Sequence, residues 1–107
     1  LASVRQDEES AIFIFDEVDA GVGGLTLNKL AEKLYALASS RQMLLITHWP
    51  QLAARARKHF QISKTIRDNA TFTLCLPLDK AARHEELARM AGGGAQGEAV
   101  ARSLEAQ

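Results

Sequence analysis

The segment AIFIFDEVDAGVGG, residues 11–24, contains an apolar run that passes directly into three closely spaced carboxylates and then into three glycines. A short continuous apolar run such as residues 12–15 is typical of a strand that is covered on both faces in a parallel sheet. A sheet core explains the apolar residues and a surface loop explains the acids, but neither explains their abrupt junction. The junction predicts a strand that delivers Asp16, Glu17 and Asp19 to the edge of a sheet.

The composition fits one small globular domain, residues 1–107. Hydrophobic residues make up 47% of the chain, and no stretch is long and apolar enough to span a bilayer. The 13 basic and 13 acidic residues balance, so any contact with nucleic acid has to be local. Cys75 is the single cysteine, which excludes an internal disulfide and predicts a buried thiol in a reducing compartment. The chain starts without a methionine or a signal peptide, as expected of a piece of a longer protein.

The first half of the chain predicts two parallel strands joined by a helix. Residues 43–47 form a second continuous apolar run, and both runs have the pattern of central strands. Leucine and alanine recur at helical spacing over residues 27–38, and such a helix is long enough for the right-handed crossover between parallel strands. Pro50 suits the first turn of a further helix, which we expect over residues 50–58.

The second half begins with the pattern of an antiparallel hairpin. Apolar and polar residues alternate over residues 60–62 and again over residues 72–78. Asp68 and Asn69 lie between these stretches and are typical turn residues.

Helices are predicted for the rest of the chain. Asp79 is placed to cap a last main helix, which carries apolar residues over 82–91. Glycines 92–94 indicate the end of that helix rather than a phosphate-binding loop, because no strand precedes them. Residues 95–107 predict a weak terminal helix.

Acidic and imidazole side chains are predicted to meet at one edge of the parallel sheet. Ligands of such sheets bind beyond the carboxyl ends of the strands, where Asp16, Glu17 and Asp19 lie. His48 follows the second strand, so it reaches the same edge if the two strands are neighbours. Carboxylates in this position can hold a metal ion and polarise water.

An apolar strand that ends in Asp-Glu is the Walker B pattern of nucleoside triphosphatases. In that pattern the Asp helps to hold Mg²⁺, and the following Glu orients and deprotonates the attacking water. The segment VDAGVGG follows here, and ITH comes after one crossover helix. With these three motifs in order, the chain resembles the ATP-binding-cassette class, in which the later two are the D-loop and the switch histidine.

The resemblance extends to one family. The segments FDEVDAGVGG, LLITHWPQLAARARKHFQISK and RHEELARMAGG are similar to the C-terminal part of the RecN family of bacterial DNA repair proteins, which are relatives of the structural-maintenance-of-chromosomes (SMC) ATPases. The resemblance covers almost the whole chain. It departs at Trp49, where the family usually has a smaller aliphatic residue, and after Gly92.

The resemblance implies an α/β fold: the C-terminal part of a P-loop NTPase head of the ABC/SMC type, with parallel strands, a crossover helix and a terminal hairpin. It implies that Asp16 is the metal residue, Glu17 the general base and His48 the γ-phosphate contact. It also implies a D-loop that faces a second protomer and contains Asp19, Gly21, Gly23 and Gly24.

The resemblance further implies that the cofactors are ATP and Mg²⁺, both bound only by the full-length protein. The implied partners are the N-terminal part of the same head, a second protomer and DNA, in the cytoplasm of a bacterium at the nucleoid. Neither a G-x-x-x-x-G-K-[ST] phosphate loop nor a Ser-Gly-Gly signature segment occurs in these 107 residues. We therefore expect the isolated chain to be inactive.

Two other functional classes remain open. DEVD at residues 16–19 also matches the DExD motif of a helicase core, although ITH replaces the Ser-Ala-Thr type of segment that a helicase normally has. A pure binding or assembly module is the third class. The basic run at residues 55–59 indicates a solvated helix face more than a DNA contact, and His59 and His84 are interpreted as structural.

The implied fold also predicts an incomplete sheet. In the fold that the chain resembles, the strand that carries the phosphate loop lies between residues 43–47 and residues 60–63, and that strand is not among these residues. An apolar strand edge attracts another strand. We therefore expect either direct pairing of the two flanking strands or self-association through the edge of residues 43–47.

Overall fold

The computed structural model of the chain describes residues 12–16 and 24–107. Eight elements follow one another in these ranges. They are β1 (Ile12–Asp16), α1 (Gly24–Ala38), β2 (Gln42–Ile46), α2 (Pro50–Ala53), β3 (Phe60–Arg67), β4 (Ala70–Pro77), α3 (Lys80–Met90) and α4 (Gly94–Glu105). The chain divides into two units, Leu1–Arg55 and Ala56–Gln107. A single domain over residues 1–107 stays a prediction.

The first unit contains the predicted parallel pair and its crossover helix. β1 and β2 pair in parallel, with Ile12 opposite Gln42 and Asp16 opposite Ile46. Alternate side chains of the strands face α1, which contributes buried apolar side chains at helical spacing. The core of this unit consists of Phe15, Leu27, Ala31, Leu34 and Leu52, with Phe13, Leu30, Met43, Leu45 and Trp49 packed against it.

The opposite face of this sheet is apolar and exposed. We call it the outer apolar face; it consists of Ile12 (56% exposed), Ile14 (64%), Leu44 (49%) and Ile46 (43%). The prediction of strands that are central and covered on both faces is therefore wrong for this chain. The helix layer covers only one side of this two-stranded sheet, although the sequence provides apolar residues for both sides.

Two predicted boundaries in the first unit are wrong. β2 ends at Ile46 rather than at Thr47, because the Thr47 hydroxyl accepts a hydrogen bond from the Trp49 backbone N–H at 3.0 Å and turns the chain. α2 ends at Ala53 rather than at residue 58. Leu52 and Ala53 are buried, but the following Arg-Ala-Arg-Lys segment offers no apolar stripe that would keep a helix packed.

The second unit opens with the predicted hairpin. β3 and β4 pair antiparallel over their full eight residues, from Phe60 opposite Pro77 to Arg67 opposite Ala70. Asp68 and Asn69 form the turn with φ of 49° and 63°, and both residue types tolerate this left-handed backbone. The hairpin prediction is confirmed.

The hairpin exposes side chains on both of its faces, which overturns the prediction for Cys75. The Cys75 thiol is exposed, and so is Ile62, which lies opposite it in the register. The apolar run around Cys75 correctly predicts a strand. It does not create a layer that would cover the thiol.

Helices α3 and α4 complete the second unit. Asp79 caps α3 as predicted, because its Oδ1 accepts from the Ala82 backbone N–H at 2.8 Å. Glycines 92–94 all have positive φ and end the helix. α4 spans Gly94–Glu105, close to the predicted residues 95–107, and it is better packed than a weak terminal helix, since Gly97, Ala101 and Leu104 are buried.

The observed elements confirm the α/β class with parallel strands, a crossover helix and an antiparallel hairpin. The two sheets within the described residues are β1–β2 in the first unit and β3–β4 in the second. Direct pairing of residues 43–47 with residues 60–63 and self-association through that edge both stay predictions. Among residues 12–16 and 24–107 no helix has the length and apolar character needed to cross a membrane.

Candidate functional site

The candidate site begins where β1 ends. Phe15 is buried against α1 and fixes the end of the strand, while Asp16, the next residue, is exposed. Alternation along the strand therefore turns the Asp16 carboxylate away from the core. The parallel register places Asp16 opposite Ile46, the last residue of β2.

The chain beyond β2 leads to His48 at the same edge of the sheet. The hydrogen bond from the Trp49 N–H to the Thr47 Oγ1 closes a two-residue turn, and His48 lies within this turn. Its ring is exposed and contacts the Trp49 ring, with 5.2 Å between centroids and 34° between planes. Pro50 then starts α2.

Asp16 is thus the last residue of β1, and His48 lies two residues after the end of β2, with which β1 pairs. The catalytic and metal roles of both residues stay predictions. Gly24 is the first residue of α1. The remaining predicted site residues, Glu17, Asp19, Gly21 and Gly23, lie outside the described residues. Their roles stay predictions.

The donor set at this edge suits a hard divalent cation. An exposed carboxylate such as that of Asp16 matches Mg²⁺, which is commonly held by one or two carboxylates together with substrate phosphates and water. Within the part of the chain that the structure describes, no group of three His, Cys, Asp or Glu side chains is arranged to hold a metal ion. A complete site therefore needs ligands beyond Asp16.

Thr47 and Trp49 are site residues that the sequence analysis did not identify. Together they shape the turn around His48, and Trp49 also packs against the core of the first unit. The signal was present in Thr-His-Trp-Pro, because a threonine can accept from the backbone N–H two residues later and proline suits a first helical turn. The Trp49 Nε1 and the Gln51 Oε1 are buried and make no hydrogen bond to any residue within 12–16 and 24–107.

The side chains of the basic run at residues 55–59 differ in their surroundings and exposure. The Arg55 guanidinium lies over the Tyr35 ring, 4.8 Å from its centroid, which is a structural cation–π contact. Arg57 and Lys58 are exposed, whereas His59 is half-buried. Burial lowers the pKa of His59, and the nearby Arg83 lowers it further, as expected for a structural histidine.

No family model matches the chain, but its similarity to curated proteins is high. It is 45% identical over 80 residues to the DNA repair protein RecN of Xylella fastidiosa strain Temecula1, and equally to RecN of Deinococcus radiodurans. Each of these two alignments covers 75% of this chain and 14% of the relative. It is 43% identical over 93 residues to RecN of Bacillus subtilis, covering 87% of this chain and 16% of the relative. The chain thus spans about one seventh of the length of these relatives.

A solved structure supports the same assignment. The chain resembles a solved structure that is described as "Structural biochemistry of ATP-driven dimerization and DNA stimulated activation of SMC ATPases". The TM-score is 0.51 and the sequence identity is 26%. The match covers 73% of this chain and 47% of that one. The resemblance that the three motifs indicated is confirmed: over most of its length the chain is similar to a segment of the RecN family of DNA repair proteins.

Proposed function

We propose that this segment forms part of the ATPase head of a RecN-type protein that acts in DNA double-strand break repair and recombination. The observation that supports it most directly is the placement of Asp16 at the carboxyl end of β1 and of His48 just after the carboxyl end of β2, since the two strands pair in parallel. The RecN relatives, named as DNA repair proteins, and the SMC ATPase neighbour point to the same function.

We assign the chemistry to three side chains of the full-length protein. The Asp16 carboxylate would help to hold Mg²⁺, which neutralises charge on the transferred phosphate. Glu17 would orient the attacking water and accept its proton, as a general base does. His48 would donate a hydrogen bond toward the γ-phosphate from the turn that Thr47 and Trp49 shape.

The proposed partners follow from the same assignment. The N-terminal part of the head would supply the phosphate loop, and a second protomer would meet the D-loop glycines when ATP closes the heads. The neighbour described for ATP-driven dimerization and DNA stimulated activation supports this cycle. DNA would bind elsewhere in the full-length protein, since the charges of this segment balance.

The isolated 107-residue chain should neither bind ATP tightly nor hydrolyse it. It has no phosphate loop to supply backbone N–H groups and a lysine, and carboxylates alone repel a triphosphate. Equilibrium binding with labelled ATP and Mg²⁺ should show no binding below the high micromolar range. A low-micromolar dissociation constant would reject this part of the proposal.

Two substitutions in the full-length protein test the roles of the described residues. Asp16→Asn should raise the Mg²⁺ concentration needed for half-maximal ATPase activity, and His48→Ala should lower turnover while the protein stays folded. Glu32→Gln, an exposed change on α1, is the control and should leave both quantities unchanged. An unchanged Mg²⁺ dependence in Asp16→Asn would remove that residue from the metal role, and strand unwinding by the parent would favour the helicase alternative.

A further inference from the structure

We propose that Glu98, His84 and Glu105 form a proton-dependent latch that holds α4 against α3. The proposal concerns the second unit alone and does not rest on the ATPase assignment. It assigns a function to His84, which the sequence motifs leave without one.

The latch is a three-residue bridge between two helices. The His84 Nε2 lies 2.5 Å from the Glu98 Oε1, and its Nδ1 lies 2.6 Å from the Glu105 Oε1. The two glutamates are seven residues apart, about two turns of α4, so they approach the ring from opposite ends. One side chain of α3 therefore binds α4 at two points.

The partners of the ring determine its protonation state. A neutral imidazole has one N–H and one lone pair, whereas an imidazolium has two N–H groups. A carboxylate oxygen only accepts, so both contacts are hydrogen bonds only when both ring nitrogens donate. In the neutral form, one nitrogen lone pair would face a carboxylate oxygen at hydrogen-bonding distance and repel it.

The packing of the two helices keeps the ring in this position. A Cβ added at Gly97 would lie 2.5 Å from the Ala88 carbonyl oxygen, so the helices approach as closely as glycine permits. Leu87 of α3 and Ala101 of α4 are fully buried. Glu98, next to Gly97, and Glu105, next to the buried Leu104, are thereby held near His84, whose side chain is only 26% exposed.

The charged groups around the ring set the pH range of the latch. Glu98 and Glu105 face it from α4, Arg102 contacts Glu98 at 3.4 Å, and Lys80 lies one helical turn before His84 on α3. The hydrogen bonds to Glu98 and then to Glu105 raise the pKa of His84 above its ordinary 6.5. The same contact to His84 lowers the pKa of Glu98.

The direction of the pH effect follows from these shifts. A raised histidine pKa in the folded state means that its stabilising effect is complete below pH 6.5 and is lost as the pH rises through the folded value. At the acidic end, the contribution of Glu98 is lost as the pH falls through its lowered pKa. The latch is closed between these limits, and α4 loosens as the pH rises through the raised pKa of His84.

The titration of the His84 ring in the wild-type chain tests the latch directly. Nitrogen-15 shifts of the ring should show two N–H groups at pH 6.5, with a titration midpoint above that value. Urea unfolding should return the midpoint to the ordinary histidine range. A single N–H tautomer at pH 6.5, or a midpoint at or below it, would overturn the proposal.

Variants of the same chain show whether protonation holds α4. When the pH is raised from about 6 to about 9, the melting temperature of the wild type should fall by about 3 °C or more beyond the change seen in two variants. These are His84→Gln and the double variant Glu98→Gln with Glu105→Gln. Glu85→Gln, an exposed change on α3, is the control and should behave as the wild type does. All proteins can carry His59→Gln, since the lowered pKa of His59 gives the opposite pH trend.

An equal pH response in wild type and latch variants would contradict the proposal. If a variant does not fold, the ring titration of the wild type gives the answer alone. Amide exchange of α4, corrected for the intrinsic pH dependence of exchange, should accelerate at alkaline pH in the wild type and not in His84→Gln.

Discussion

Glu86 is a buried charged residue, only 7% exposed, and its hydrogen bonds connect α3 with β3. Its Oε2 accepts from the Arg89 Nε at 2.8 Å and from the Gln61 Nε2 at 2.7 Å, and its Oε1 accepts from the Arg89 Nη2 at 2.5 Å. The bonds from Arg89 are the main reason why the pKa of Glu86 lies below its ordinary value of 4.5. Both oxygens thus have partners, which makes the burial of this charge tolerable.

Glu86→Gln should lower the free energy of unfolding by about 1–3 kcal/mol, because the amide places an NH₂ group where the carboxylate accepted a bond from Arg89 or Gln61. Urea unfolding of the 107-residue chain measures this, with the exposed Glu85→Gln as a control that should change stability by less than about 0.5 kcal/mol. The contribution of Glu86 should be present above pH 4.5 and be lost as the pH falls through the lowered pKa. Equal stability of Glu86→Gln and wild type would contradict the described bonds.

Single residues could be predicted where their role depends on near neighbours in the chain. Asp79 was predicted as a cap because the bonded N–H lies three residues later, and the position of Asp16 follows from the strand before it. The pairing of Glu86 with Gln61 depends on a residue that is distant in the sequence. The exposure of Cys75 depends on whether another layer of structure covers its face of the hairpin. No local pattern specifies these.

At the scale of elements, α3 and α4 make their closest approach at Gly97. Gly97→Ala should destabilise the chain by about 1–3 kcal/mol, because the new Cβ would lie 2.5 Å from a backbone oxygen of α3, and the helices would have to separate. Thermal unfolding followed by circular dichroism measures the change. Ser103→Ala is the control, since this residue of α4 is exposed. A Gly97→Ala chain as stable as the control would show that the helices are farther apart.

The elements themselves were predicted with unequal success, for physical reasons. β1, α1 and the hairpin have clear periods or turn residues, and the structure confirms them. The end of α2 was predicted too late in the chain, because a charged segment continues a helix only where tertiary packing stabilises it. The strength of α4 was missed because Gly97 and Ala101 pack by being small, which a hydrophobic pattern does not register.

At the scale of the whole molecule, the exposed apolar surface predicts self-association of the isolated chain. The outer apolar face presents Ile14 and Leu44 to solvent, and both sheets have only two strands, so strand edges are also unpaired within the described residues. Light scattering should show a mass that rises with concentration. Ile14→Lys with Leu44→Lys should suppress it by several-fold, while Asn28→Lys on the exposed side of α1 should not. A strictly monomeric wild type would reject this prediction.

We propose that this segment supplies the hydrolytic carboxylates of a RecN-type ATPase, and Glu17→Gln in the full-length protein tests this role most directly. Gln keeps the shape of the side chain but cannot accept the proton of water, so ATP binding should persist while turnover falls by roughly 10²–10⁴-fold. Both quantities are measured on the same preparation, by equilibrium ATP binding and by phosphate release. Turnover equal to that of the wild type would show that Glu17 is not the general base.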